Sequence, residues 1–286
     1  MSLYLRPGTL EEALEILSHQ TGNILSGGTD FFPALGDRRA TGVVVDISGI
    51  RGMKGVTTTL DEIWIGGLTT WSEIITHSLP PCFDALKGAA QEVGGVQIQN
   101  RGTVAGNLCN ASPAADGIPP LLALDAEVEL ASTAGSRKIP LSRFIVGNRK
   151  TLRRADEILT KIIVPRTFED ARSAFLKLGS RRYLVISIAM VAAVVKTDGQ
   201  GNVAQAQIAV GSCSVNAQRL ATLERSLIGA PAKAGLGTMV SPEHLSTLAP
   251  IDDVRGTAGY RSDAVLTLVS RALEICGVNC CHGNHE

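Results

Sequence analysis

The sequence predicts an α+β protein built in two unequal parts, and three observations lead there. Thr9 with Glu12, and Thr70 with Glu73, have the capping-box spacing that marks a helix start. Short apolar runs in the first half end in glycine pairs, at Gly27-Gly28 and Gly66-Gly67. After Pro165 the character changes to successive strand-like segments, with Asp198-Gly199-Gln200-Gly201 as a turn between two of them.

In chain order, the pattern Leu10, Leu14, Leu17 behind Thr9 predicts a helix over residues 10–20. The apolar pair Ile24-Leu25 stops at the first glycine pair, and VVVDI at 43–47 reads as a strand. EIWIG at 62–66 is another strand ending in glycines, and the next helix starts behind Thr70. A third helix is expected over 83–93, with strands over 126–131 and 158–164. Beyond Pro165, the segments 173–178, 185–195 and 203–210 predict an antiparallel meander. Helices over 217–228 and 260–275 come after it, joined by a Gly/Ala/Pro-rich connector at 229–237.

At 286 residues and 44% apolar composition, the chain is long enough to bury a substantial core. Twenty-seven basic and twenty-seven acidic residues cancel without a long run of either sign, which removes the electrostatic footprint of nonspecific nucleic-acid binding. The first residues carry no secretory-signal pattern, and the longest apolar stretch, 185–195, is well short of the ~20 residues a membrane span requires. Six cysteines lie scattered without a CxxC pair, so reduced thiols and a cytoplasmic location are expected.

Three glycine-bearing segments could carry chemistry: 26–30 (SGGTD), 65–69 (IGGLT) and 100–116 (NRGTVAGNLCNASPAAD). Glycine lets successive backbone N–H groups turn toward one point, a concavity that binds anions and phosphates above all. Taken singly, each also reads as a tight turn after a strand. Neither GxGxxG nor GxxxxGK[ST] occurs, so the Rossmann fingerprint and the P-loop are absent. Asp116 suits a hydrogen-bond acceptor for ribose or sugar-alcohol hydroxyls, or equally an N-cap for the segment starting at Gly117.

The order SGGTDFF at 26–32, VVDIS at 44–48, IGGLTT at 65–70, NRGTVAGNLCNASPAAD at 100–116, EILTKIIVP at 157–165 and FLKLGSRR at 175–182 resembles the FAD-binding medium subunit of molybdenum hydroxylases. That family includes carbon monoxide dehydrogenase, bacterial xanthine dehydrogenase and 4-hydroxybenzoyl-CoA reductase, and the resemblance covers nearly the whole chain. It implies a vanillyl-alcohol-oxidase (PCMH) type FAD domain over 1–168, in subdomains of about 1–53 and 54–168. A CO dehydrogenase flavoprotein C-terminal-like domain would occupy 169–286, with a three-stranded antiparallel sheet and helices.

The resemblance further implies noncovalent FAD, its diphosphate held by backbone N–H groups of Leu25, Ser26, Gly27, Gly28, Thr29, Asp30 and Phe31 and of Ile65, Gly66, Gly67 and Leu68. Thr103, Val104, Ala105, Gly106 and Asn107, with Ser112 and Asp116, would complete the cradle. Leu159 would be an apolar contact, and Lys177 a basic one near the pyrimidine end of the flavin; read without the resemblance, Lys177 is an ordinary strand-end lysine. Arg181 and Arg182 suit a flavin edge, a subunit interface or a solvated turn. No residue of the chain is expected to be catalytic or to bind a metal, and Cys280-Cys281-His282 reads as a solvated end rather than a zinc site. Asp116 runs on to Leu121 without added cysteines, which points away from the benzoyl-CoA reductase branch and its extra 4Fe–4S cluster.

The implied role is electron transfer, from a 2Fe–2S small subunit through FAD to NAD+ or another acceptor, beside a molybdopterin-binding large subunit in a dimer of heterotrimers. A stand-alone FAD-dependent oxidoreductase of the same superfamily and a flavin-free scaffold are the alternatives.

Overall fold

The computed structural model describes residues 2–182 and 184–279. The chain opens with β1 (Ser2–Leu5), α1 (Leu10–His19), β2 (Gly22–Leu25), the short α2 (Phe31–Leu35) and β3 (Gly42–Asp46). The three strands form a parallel sheet in the order β1-β3-β2. Thr9 caps α1 by accepting from the Glu12 amide, but the Glu12 carboxylate accepts from Gly8 rather than returning to Thr9. Only half of the expected box forms there.

β4 (Val56–Thr58) and β5 (Glu62–Gly66) then pair, and the chain continues through α3 (Trp71–Thr76), α4 (Asp84–Glu92), α5 (Val96–Gln99), α6 (Val104–Asn110) and α7 (Ile118–Ala123). Thr70 and Glu73 form the complete reciprocal box at the start of α3. β6 (Glu127–Ser132) and β7 (Gly135–Pro140) make a hairpin, succeeded by α8 (Leu141–Phe144), the small ribbon of β8 (Ile145–Gly147) and β9 (Lys150–Thr151), and β10 (Ile158–Pro165). The resulting antiparallel sheet has the order β4-β5-β10-β6-β7.

β11 (Arg172–Leu178), β12 (Ala189–Thr197), β13 (Val203–Gly211) and the two-residue β14 (Gln218–Arg219) form the third sheet, all antiparallel, with α9 (Ala221–Leu227) and α10 (Ala258–Asn279). The expected three strands are therefore joined by a fourth, and the helix expected from 217 starts at Ala221. The Leu220 amide donates to the Ile208 carbonyl, which keeps this stretch on the sheet edge before the helix begins. The strand expected from 185 begins at Ala189, after a connection in which Leu184 takes a left-handed conformation (φ 54°).

β12 is buried along its apolar length, and its two faces serve different cores. Ala192 and Val194 join the core of the second sheet, where α4 and α7 lie against the third sheet. Val191, Ala193 and Val195 face the core shared with α9 and α10. This explains why 185–195 reads as a continuous apolar run rather than an alternation. The described residues contain no helix long and apolar enough to cross a membrane. The tail around Cys280-Cys281-His282 lies outside the described residues.

Candidate functional site

The loop after β2 is held open by contacts at its margins. Gly28 adopts φ 74°, a conformation glycine takes without steric cost. A Cβ on Gly27 would stand 2.0 Å from the Arg101 carbonyl oxygen, so the loop lies directly on the backbone of Arg101 and Gly102. The Asp30 carboxylate meets the Arg149 guanidinium at 2.9 Å, and Arg149 also donates to Asn110 Oδ1 at 2.6 Å. Among the described residues, the amides of Gly27, Gly28, Thr29, Asp30 and Phe31 donate to no protein acceptor. Five successive donors without partners are the composition of an anion-binding backbone.

The loop after β5 is different, for its amides meet carbonyls of the protein itself. The Gly66 amide donates to the Gly55 carbonyl (2.9 Å), Gly67 to Thr160 (2.7 Å), Leu68 to Met53 (2.8 Å) and Thr69 to Gly66 (2.9 Å). A Cβ on Gly66 would stand 2.4 Å from the Met53 oxygen, and one on Gly67 would stand 2.3 Å from the Leu159 oxygen. These glycines admit close backbone packing. The amides of Gly66, Gly67 and Leu68 are thus taken within the protein, and Ile65, within β5, lies opposite Ile162 and Val56 in the sheet with its side chain buried, as is that of Leu68.

The 100–116 stretch is not an open loop, for most of its middle is the helix α6. Thr103 caps α6, its hydroxyl accepting from the Gly106 amide at 2.9 Å. Ser26 Oγ lies 3.3 Å from Thr103 Oγ1, which joins the first loop to the helix start. Any Cβ on Gly106 would press on both hydroxyls, at 2.7 Å from Thr103 Oγ1 and 3.2 Å from Ser26 Oγ. Val104 donates to the Thr69 carbonyl, and the side chains of Leu25, Val104 and Ala105 are buried. Asn107 Oδ1 accepts from the Gly117 amide at 3.2 Å, and Ser112 Oγ from Ala114 at 3.3 Å, which shapes the turn carrying Asp116. Leu159 is 4% exposed and belongs to the core beneath, next to Gly67.

Asp116 caps no helix. Its carboxylate is buried and accepts from Lys177 Nζ at 2.7 Å and from Ser187 Oγ at 2.5 Å. Lys177 also donates to the Glu92 carbonyl at 3.2 Å and keeps only 6% of its side chain exposed, unlike an ordinary strand-end lysine. Burial is the largest influence on Asp116 and pushes its carboxyl up, against the opposing pull of Lys177 and Ser187. The structure thus brings together two residues 61 positions apart that the resemblance assigned to different parts of the cofactor. Ser187, Arg149 and Asn110 are contacts that sequence reasoning missed. Cys109, on α6, packs against the core, and its thiol is pushed up to about 11 by burial, which suits packing rather than redox chemistry.

Residues 1–167 match the family described as the FAD binding domain in molybdopterin dehydrogenase, and residues 174–275 match the CO dehydrogenase flavoprotein C-terminal domain. The chain is 33% identical over 271 residues to the nicotinate dehydrogenase FAD-subunit of Eubacterium barkeri, covering 92% of this chain and 91% of that one. It is 30% identical over 277 residues to the xanthine dehydrogenase FAD-binding subunit of Escherichia coli O157:H7, covering 94% of each. Its fold is similar to a chain of carbon monoxide dehydrogenase from Hydrogenophaga pseudoflava, solved in a form lacking the Mo-pyranopterin moiety of the molybdenum cofactor. That likeness has a TM-score of 0.86 and 26% identity, and covers 96% of both chains.

Proposed function

The chain belongs to the FAD-binding medium subunits of molybdenum hydroxylase dehydrogenases, and we propose that it serves there as the outlet for electrons, between a 2Fe–2S small subunit and NAD+ or another acceptor. When bound, FAD supplies the chemistry that joins one-electron delivery to two-electron release. The observation that carries the reading is the loop at 26–31, with five amides in a row directed to no protein acceptor among the described residues. A diphosphate is the group such a row fits, since each N–H offers a positive dipole end without a counter-charge.

Around that loop each residue has a physical task. Ser26 and Thr103 fix the loop against the start of α6, and Gly106 leaves the space between them clear. Asp116 offers acceptor sites for hydroxyl groups, and Lys177 places a cation beside it. The loop at 65–68 and Leu159 form the packed floor and supply no donors. None of these groups cleaves a substrate. Substrate chemistry belongs to a molybdopterin-binding large subunit, and the assembly is a dimer of heterotrimers in the cytoplasm. The relatives' names, which call them FAD subunits of dehydrogenases, support a place in a larger enzyme.

The test is to purify the chain, record its visible spectrum, and identify any cofactor released on denaturation by chromatography. Released FAD, and two further subunits copurifying with the tagged chain, are the expected results. A colourless chain that takes up no added FAD, alone or with its partners, overturns the reading.

A further inference from the structure

The C-terminal half reaches back onto the segment that carries Asp116 at two points. Ser187 Oγ donates to the Asp116 carboxylate at 2.5 Å, and the Ser212 amide donates to the Pro113 carbonyl at 3.0 Å. Both points are braced from behind by one buried arginine. Arg261, 3% exposed, donates to the carbonyls of Ile188 and Ser212 through Nη1, while Asp253 accepts from its Nη2 at 2.6 Å. Ser187 itself is 2% exposed, in the connection between β11 and β12, so bulk solvent does not compete with Asp116 for its hydroxyl.

We infer that Ser187 is a positioning residue for the cofactor: it holds the Asp116 carboxylate in the orientation that accepts from hydroxyl groups of the flavin dinucleotide, and so ties FAD retention to docking of the C-terminal sheet. The inference rests on the proposed function. An ionised carboxylate has about four lone-pair sites, of which Lys177 and Ser187 fill two. Without Ser187, Asp116 is held by Lys177 alone and is free to turn about that single contact.

The test uses the full chain, freed of flavin and titrated with FAD by fluorescence quenching at a series of pH values. Ser187→Ala should weaken FAD about tenfold at neutral pH, the scale of one charge-assisted hydrogen bond. Ionised Asp116 is the acceptor, so affinity is present above its pKa and falls as pH drops through it. Removing a hydrogen bond to the ionised form moves that acid limb to higher pH in Ser187→Ala. Lys177 and Glu92, the charged groups that also act on Asp116, are the same in every variant. Ser187→Thr, which keeps the hydroxyl, should restore both affinity and limb. Wild-type affinity with an unmoved limb in Ser187→Ala overturns the proposal. Should that variant not fold, Ser187→Cys asks the same question with a weak donor of similar volume, and an unmoved limb there overturns it too. Failure of the wild-type chain to bind FAD would instead remove the functional reading beneath it.

Discussion

The loop after β2 and the loop after β5 each set a glycine pair at the end of a strand, and they use their backbones in opposite ways. Around Gly27-Gly28, five amides meet no protein acceptor among the described residues. Around Gly66-Gly67, each of the amides from Gly66 to Thr69 meets a carbonyl, most of them on neighbouring segments. The same residue type thus leaves a row of open donors in one place and makes a tight junction in the other. What separates them is whether backbone carbonyls lie close enough to take the hydrogen bonds. The second loop is clamped between the Met53 region and the irregular stretch of β10 near Thr160, where the register with β6 shifts. The first lies against the backbone of Arg101 and Gly102 at Gly27, a contact that takes up none of its five amides.

The strongest way to break this contrast is Gly67→Ala. Its new Cβ would lie 2.3 Å from a backbone oxygen that no rotamer change can move, so a loss of about 3 kcal/mol in the flavin-free chain is expected. Urea unfolding measures it, and an unshifted midpoint would show that the second loop is as loose as the first. Gly28→Ala should cost less stability and more flavin. Left-handed backbone costs an alanine about 1–2 kcal/mol, and the nearest obstacle is the Phe32 ring, which is 57% exposed and can swing away. Flavin content after gel filtration should nevertheless fall at least about tenfold, since the change alters the direction of the neighbouring amides. If flavin is retained in full while stability drops, the open loop is a structural turn like its counterpart. Arg149→Ala is the smallest perturbation. Its ion pair with Asp30 is exposed on both sides, so stability should change by less than about 1 kcal/mol. FAD affinity should fall about threefold at low salt and converge with the wild type as salt is raised. A difference that persists in high salt would mean that Arg149 acts by shaping the loop rather than by charge.

Local signals in the sequence were enough for much of the architecture. The Thr70–Glu73 box, the apolar run that became β12 and the glycine-ended strand β5 depend on neighbours within a few positions, and each stands close to where it was expected. The helix α6 was missed because its glycine, asparagine and cysteine content carries no apolar period, and what starts it is the Thr103 cap. Of the candidate site, Gly27-Gly28 and Asp116 stood out in the sequence. Which amides remain open was not legible, because the acceptors that close the others, the carbonyls of Met53, Gly55 and Thr160, are brought there by tertiary packing. Ser187 was hidden inside an apolar run, 71 positions from its carboxylate partner. Arg149 lies 119 positions from Asp30, in a turn whose left-handed backbone (φ 55°) has no marker in a lone arginine.

The double-sided burial of β12 also bears on how the polypeptide is made. Synthesis delivers the flavin half first, and the surface of α4 and α7 that Ala192, Val194 and Ala209 later cover emerges from the ribosome uncovered. Until those strands arrive, the growing chain carries an apolar face open to chaperones and to other nascent chains. A gene split after Pro165 would make that exposure permanent in both products, which gives a physical reason for these two halves to travel as one chain.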